Sequence, residues 1–315
     1  MGRRLLLGLV VVATMLAACG GSATTNDPYA LTFNATKTGW DQVQVDLSLS
    51  AVQGSDSISL QPGAVRLVLD TKNGKGLFHL SIPTSALGSS AADLAQLGIT
   101  GDTLDIDVLY DGQALYAKSP IAPALLQLLY ASSGGVPSGD LTSWLKLGTA
   151  ADFASLAALG GVTPTSSAAP MASFADANAL KTALTNAGVT LTFVATETHN
   201  GVSAAHVSAT VDWTKLASSS ALTSGASAAE IQQAITALQN TNSSIDLWID
   251  GSNRLIGLEV KGSSKTDATQ TFDFNLSFKT PDAGTSLDAP ATSVDVPLMT
   301  LLGPLLQSLM GGVTP

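Results

Sequence analysis

Cysteine, histidine and basic residues are all scarce in this chain, and each scarcity removes a class of chemistry. The single cysteine, Cys19, cannot close an internal disulfide. Three histidines, His79, His199 and His206, are too few for an obvious metal cluster, and no two have His-x-x-x-His spacing. Each reads as a solvated or hydrogen-bonded side chain. Lys and Arg total only 14 against a net charge of −10, so nucleic acid and anionic membrane surfaces find no cationic footprint. Loss of Arg3 and Arg4 with a cleaved leader moves that charge from −10 to −12. Aromatic residues are 5% of the chain, too few for stacking platforms for sugars or bases. Hydrophobic residues nevertheless make up 45% and charged residues only 12%. Such a chain suits a sheet and Ala/Leu-rich helices around a smooth interior, and its length allows one large or two small cores.

Catalytic motifs are also missing. No Gly-x-Ser-x-Gly elbow and no glycine-rich phosphate loop occurs. Ser143-Trp-Leu-Lys146 is formally Ser-x-x-Lys and Lys37-Thr38-Gly39 is formally Lys-Thr-Gly. Their order is the reverse of that in serine β-lactamases, and Ser-Asp-Asn is absent. Asp246 to Gly257 has the Asp-Gly offset of a calcium loop, but Trp248 holds a ligand position and Gly257 the bidentate one. Asp102, Asp105, Asp107 and Asp111 fit a solvated sheet face. The expectation is a non-enzyme without metal or cofactor, apart from a covalent acyl group.

That group belongs to the N-terminus. Met1-Gly-Arg-Arg is a basic start, Leu5 to Ala18 is an apolar run too short for a comfortable membrane span, and Cys19 follows at once. Leu16-Ala17-Ala18-Cys19 resembles the bacterial lipobox, which implies that Cys19 is acylated and becomes the first mature residue. Each buried methylene contributes ~0.8 kcal/mol, so two or three acyl chains anchor stably where one is marginal. The expected organisation is a signal peptide at 1–18, a polar tether at 19–27, a folded domain at 28–281 and a Leu-rich tail at 282–315. The tail's leucines follow helical spacing from Val294 to Met310, interrupted by Pro304. It packs on the core, plugs a cavity mouth or rests on a membrane.

The folded part is organised around Ser244 to Lys261. Ile245, Leu247 and Ile249 alternate with Asp246, Trp248 and Asp250; Asp250-Gly-Ser-Asn253 turns; Ile256, Leu258 and Val260 alternate back. The same pattern predicts strands over 43–49, 58–60, 65–70, 77–82, 104–110, 114–118, 144–147, 189–193, 205–213 and 272–278, with a break at Pro62-Gly63. Asn73-Gly74, Asp111-Gly112 and Asn200-Gly201 mark turns. Helices are expected over 86–97, 121–131, 152–159, 173–187 and, behind the capping box Ser227-Ala-Ala-Glu230, up to Leu238. Hairpins with inserted helices argue for α+β: an antiparallel sheet with helices on one face.

Several of these stretches resemble the LppX/LprAFG family of cell-envelope lipoproteins: the lipobox, Trp40 to Leu49, Asp107 to Pro120, Glu197 to Trp213 with its Asn-Gly-x-x-x-x-His-x-x-x-x-x-Asp pattern, and the Asp246 to Val260 hairpin. The resemblance implies a strongly curved antiparallel half-barrel related to LolA and LolB, with helices over its concave face and a hydrophobic cavity between. It implies a carrier of acylated lipid or glycolipid, lipid-anchored at the outer face of the bacterial cytoplasmic membrane, with partners among envelope transport proteins. The alternative is a structural or interaction lipoprotein without a stored ligand. Candidate cavity residues are Val45, Leu47, Ile106, Val108, Val207, Val211 and Ile249 on strands, and Leu125, Leu129, Leu180, Leu184 and Ile235 on helices. The Leu-rich tail and the Gly/Ser/Pro-rich segment 132–170 depart from the family pattern.

Overall fold

A computed structural model describes residues 26–54, 56–87, 101–130, 138–149, 151–152, 174–218 and 239–296. The leader, Cys19, most of the tether, the helices expected over 88–97, 153–159 and 227–238, and the tail beyond Val296 lie outside them.

Twelve strands occur among the described residues: β1 (Gln42–Gln53), β2 (Asp56–Asp70), β3 (Lys75–Pro83), β4 (Thr103–Tyr110), β5 (Ala114–Lys118), β6 (Leu145–Thr149), β7 (Val189–His199), β8 (Val202–Val211), β9 (Thr241–Asp250), β10 (Leu255–Ser264), β11 (Thr271–Lys279) and β12 (Val294–Asp295). The helices are α1 (Pro28–Ala35), α2 (Ala122–Tyr130), α3 (Ala177–Asn186) and α4 (Trp213–Ser218), with a single 3₁₀ turn at Thr84–Leu87. Hydrogen-bonded neighbours follow the order β12-β6-β5-β4-β3-β2-β1-β11-β10-β9-β8-β7. The strands therefore make one antiparallel meander on each side of the β2–β1–β11 centre, and β12 pairs in parallel with β6. This is the α+β antiparallel sheet expected from the alternation.

The chain divides into two compact units. The first comprises Met1–Asp41, Val45–Pro62 and Ser167–Lys279; the second comprises Gln42–Gln44, Gly63–Ser166 and Thr280–Pro315.

In the first unit, α1 and α3 cover one face of the β7–β11 sheet. Asp27 caps α1, its Oδ1 accepting the Tyr29 N–H at 3.0 Å with Pro28 opening the first turn. Asp27-Pro28 is a helix-start signature that the alternation reading passes over. Asp176 caps α3 in the same way, accepting from the Ala179 N–H at 2.8 Å, so the helix begins later than Ser173. It ends before Gly188, whose φ is +82°; a Cβ there would stand 2.9 Å from the Asp212 carbonyl oxygen. Tyr29 and Leu31 from α1 and Leu180 and Leu184 from α3 join Val207, Leu247, Ile249 and Leu258 in one buried cluster. Leu180 is 1% exposed. Leu180→Ala should lower stability by about 3 kcal/mol, read from urea denaturation.

Three strand boundaries differ from the sequence expectation, each for a local reason. β2 runs through Pro62-Gly63 instead of breaking there, with Gly63 at φ +84° supplying the irregularity that lets a strand carry a proline. Trp213 does not extend β8; Asp212 Oδ1 accepts the Thr214 and Lys215 N–H groups at 3.1 Å and starts α4. In the organising hairpin, the β9–β10 register shifts between Leu255 and Gly257. That bulge puts Leu255, rather than Ile256, beside Leu258 and Val260 in the core, and Ile256 joins Ala204, Trp248 and Trp40 on the opposite face.

In the second unit, Val294–Asp295 is a strand rather than the start of a helix. The Val294 N–H donates to the Trp144 carbonyl and the Val296 N–H to the Lys146 carbonyl, both at 2.9 Å. Val296 is fully buried with Leu126 of α2 and Leu145 of β6. The hairpin from β2 to β3 turns on Asp70. Its carboxylate accepts from Asn73 Nδ2 (2.8 Å), Gln42 Nε2 (2.9 Å) and the Asn73 and Lys72 N–H groups (2.8 and 3.1 Å). These bonds, led by the Asn73 and Gln42 side chains, lower its pKa from 3.8 to about 2. The folded state thus holds the ionised form more tightly than the unfolded chain does. The resulting stabilisation is present above pH 3.8 and is lost as pH falls through about 2. Acid titration followed by circular dichroism should show this loss, and Asp70→Asn should flatten it.

Candidate functional site

The second unit has two unlike sheet faces, set by register. Directly paired residues share a face, and alternate residues along a strand return to it. Leu67, Phe78, Val108 and Ala117 form one cross-strand row from β2 to β5. Val65, Leu80 and Ile106 form the next, and Ile82 and Leu104 a third. The rows between them, on the other face, include Arg66, His79, Asp107 and Lys118, where His79 Nδ1 lies 2.7 Å from Asp107 Oδ1. One face is therefore apolar over four strands, while the other carries charge beside a mostly buried row of Val68, Leu77, Leu109 and Tyr116.

The apolar face is not buried as a core is. Leu104 is 8% exposed, but Val65, Leu67, Leu80, Ile82, Ile106 and Val108 are half-buried and Phe78 is 36% exposed. In the first unit the central positions are closed, with Val207 0% exposed and Leu247, Ile249 and Leu258 each 1%, and Leu47, Leu49, Leu276 and Phe278 around them are half-buried. Monomeric proteins seldom leave contiguous apolar rows open to this degree without a ligand or partner to meet them.

A second assembly lies on the outer face of the first unit. The Trp248 indole is sandwiched between His199, centroid distance 4.0 Å, and His206, at 4.9 Å. Its Nε1 donates to Glu197 Oε1 at 2.7 Å, and His206 spans Asp246 (2.9 Å) and Glu197 (3.2 Å). Burial lowers the pKa of His199, and its buried Nε2 has no hydrogen-bond partner among the described residues. Arg254 holds the buried Asp250 with two bonds of 2.8–2.9 Å and lies 4.3 Å over the Trp40 ring. The packing requires Gly257: a Cβ there would overlap the His199 imidazole and stand 3.1 Å from the Trp248 ring. Gly257→Ala should quench or shift Trp248 fluorescence and lower stability by about 1–3 kcal/mol.

The motif residues serve this scaffold. Asn200 (φ +51°) and Gly201 (φ +79°) make the β7–β8 turn, His206 enters the indole sandwich, and Asp212 caps α4. None is on the apolar face of β2–β5.

Of the candidate cavity residues, Leu180, Leu184, Val207 and Ile249 are buried together in the first unit's cluster, with Leu47 and Val211 half-buried against it. Val45 is half-buried on β1. Ile106 and Val108 share the open face of β2–β5, whose Phe78, Leu80, Leu67 and Val65 the sequence reading did not single out. The alternation of Val65 to Leu69 and of Phe78 to Ile82 was the available signal. Leu125 on α2 is 46% exposed. The Leu129 side chain, Ile235 and Cys19 lie outside the described residues. Among the described residues no group of three or more His, Cys, Asp or Glu could hold a metal ion, and no helix is long and apolar enough to cross a membrane.

Comparison with solved structures gives several matches of low identity. The crystal structure of the Mycobacterium tuberculosis lipoprotein LppX matches at 14% identity over 83% of this chain and 100% of its own, with a TM-score of 0.34. LprF from Mycobacterium bovis matches at 11% identity over 85% and 100%, with a TM-score of 0.36. A LolA superfamily protein from Nitrosomonas europaea matches at 10% identity over 84% and 95%, with a TM-score of 0.20. These are the groups named by the resemblance in the motifs. No protein-family model and no curated protein matches the chain.

Proposed function

We propose that this protein is a non-enzymatic, lipid-anchored envelope lipoprotein that takes acylated lipid or glycolipid onto the apolar face of β2–β5 and carries it between membranes. The observation that supports this reading is the apolar face of β2–β5, half-open along its rows and most exposed at Phe78. Acyl chains need a dry, extended, non-directional surface, and dispersion plus the release of water supplies the affinity. Cys19 would be the anchor, holding the folded part at the outer face of the cytoplasmic membrane through the polar tether. If instead the chain stores no ligand, the same face would be covered by an envelope protein.

The test is mass spectrometry on the full-length protein from its own envelope, comparing the intact mass with organic extracts. A lipid present near one per chain, beyond the covalent acyl groups, supports the carrier. Protein that is repeatedly empty, and takes up nothing from mixed phospholipid vesicles, overturns it in favour of an interaction lipoprotein.

A further inference from the structure

On the face of the first unit opposite its core, β1, β2, β9, β10 and β11 present many hydrogen-bonding side chains, interrupted by Leu49, Leu60, Pro62 and Phe272. Register places Lys261 beside Asp273, Glu259 beside Asn275 and Ser263 beside both Thr271 and Asn242. These rows line two depressions, of about 460 and 230 Å³, that share Ser50 and Asp273. Ser48, Ser59 and Gln61 complete the smaller one. The larger volume falls within the range of small-ligand sites.

A flat solvated sheet face would leave its charges fully hydrated. Here Lys261 Nζ is 2.7 Å from Glu259 Oε1 and 3.8 Å from Asp273 Oδ2, and the Glu259 side chain is only 16% exposed. Burial, then the nearby Glu259, raises the pKa of Asp273 despite the opposing charge of Lys261. Glu259 is thus the desolvated member of an ammonium–dicarboxylate group whose Lys261 and Asp273 open to solvent, with serine hydroxyls and amides around it.

The chemistry of that lining selects its ligand. One cation against two carboxylates disfavours phosphate, sulfate and other anions. An apolar ligand would strand many polar groups without partners. Hydroxyl groups both donate and accept, so they can satisfy carboxylates, amides, serines and an ammonium together. We propose that this groove is a binding site for a neutral oligosaccharide, read by hydrogen bonds rather than by aromatic stacking, with Asp273 and Lys261 at its centre. The site stands independently of lipid binding.

The experiment is saturation-transfer NMR and calorimetry on the full-length protein in a detergent without a sugar headgroup. The probes are maltotetraose, cellotetraose, mannotetraose and chitotetraose, each up to about 10 mM, where affinities of interest are still readable. Asp273→Ala and Ser50→Trp, the second filling the part common to both depressions, are measured beside the parent, with circular dichroism to confirm folding. Saturable binding of at least one tetrasaccharide, weakened about tenfold or more in whichever of these variants keeps the parent's fold, supports the site. Absence of binding for all four probes, or binding unchanged in the folded variants, overturns it. Bound lipid is quantified in the same samples, so failure of the glycan site and failure of the lipid reading give different results.

Discussion

Val207→Asp should abolish the cooperative fold of the first unit. Val207 is fully buried on β8, paired with Phe193 on one side and Leu247 on the other, in the cluster that α1 and α3 close. Among the described residues, Val207 is packed in a cluster of hydrophobic side chains. A carboxylate placed there either stays ionised at prohibitive cost or takes up a proton and still leaves a polar group unpaired, at a cost of several kcal/mol. Domains are stable by only about 5–15 kcal/mol, and loss of the packed methyls adds to the penalty. The expected result is loss of the near-ultraviolet signal and of a sharp urea transition, with Val207→Ala retaining both at about 2 kcal/mol lower stability. A folded Val207→Asp protein that had lost only its lipid would instead make Val207 a ligand contact.

Phe78→Asp combined with Ile106→Asp should have the opposite profile: a folded protein that no longer loads lipid. Both side chains are on the open face of β2–β5, where Phe78 is 36% exposed and a carboxylate keeps much of its hydration. The stability cost should therefore stay near 1–2 kcal/mol. Each acyl methylene that leaves water contributes ~0.8 kcal/mol, and ~1.4 kcal/mol is tenfold in affinity. Disrupting contact with only a few methylenes removes about ten- to a hundredfold in lipid uptake, measured with a fluorescent fatty-acyl probe. Phe78→Leu should behave like the parent. Equal uptake by the double aspartate variant would place the ligand elsewhere or remove it.

Much of the fold is readable in the chain because its strongest local signals are turn chemistry. Asn73-Gly74, Asp111-Gly112 and Asn200-Gly201 sit at observed turns, with each glycine at positive φ. Period-2 alternation on either side of them places β3, β4, β7, β8 and β9 within a few residues. What alternation could not show was the bulge at Leu255 to Gly257: one inserted residue reverses which side chain faces the core, and no residue type announces it. The site was less legible for a related reason. Rows buried at 0–1% and rows left half-open are written in the same Val, Leu and Ile. Only the covering elements distinguish them, so Val207 and Ile106 look alike as letters. The motifs that stand out, His206 and Trp248 among them, stand out because an indole sandwich and a tight turn demand particular residues.

The two ends of the strand order are finished differently, and this bears on self-association. At one end the chain's own Val294–Asp295 occupies the outer side of β6. A strand of two residues leaves little for another chain to pair with. At the other end β7 offers a longer ladder, but its register slips between Phe193 and Ala195, and Val194 there is 52% exposed. Among the described residues, β7 is thus the longer of the two end strands from which edge pairing between copies could start. If β7 meets β7, the assembly closes at two chains instead of growing into a fibre.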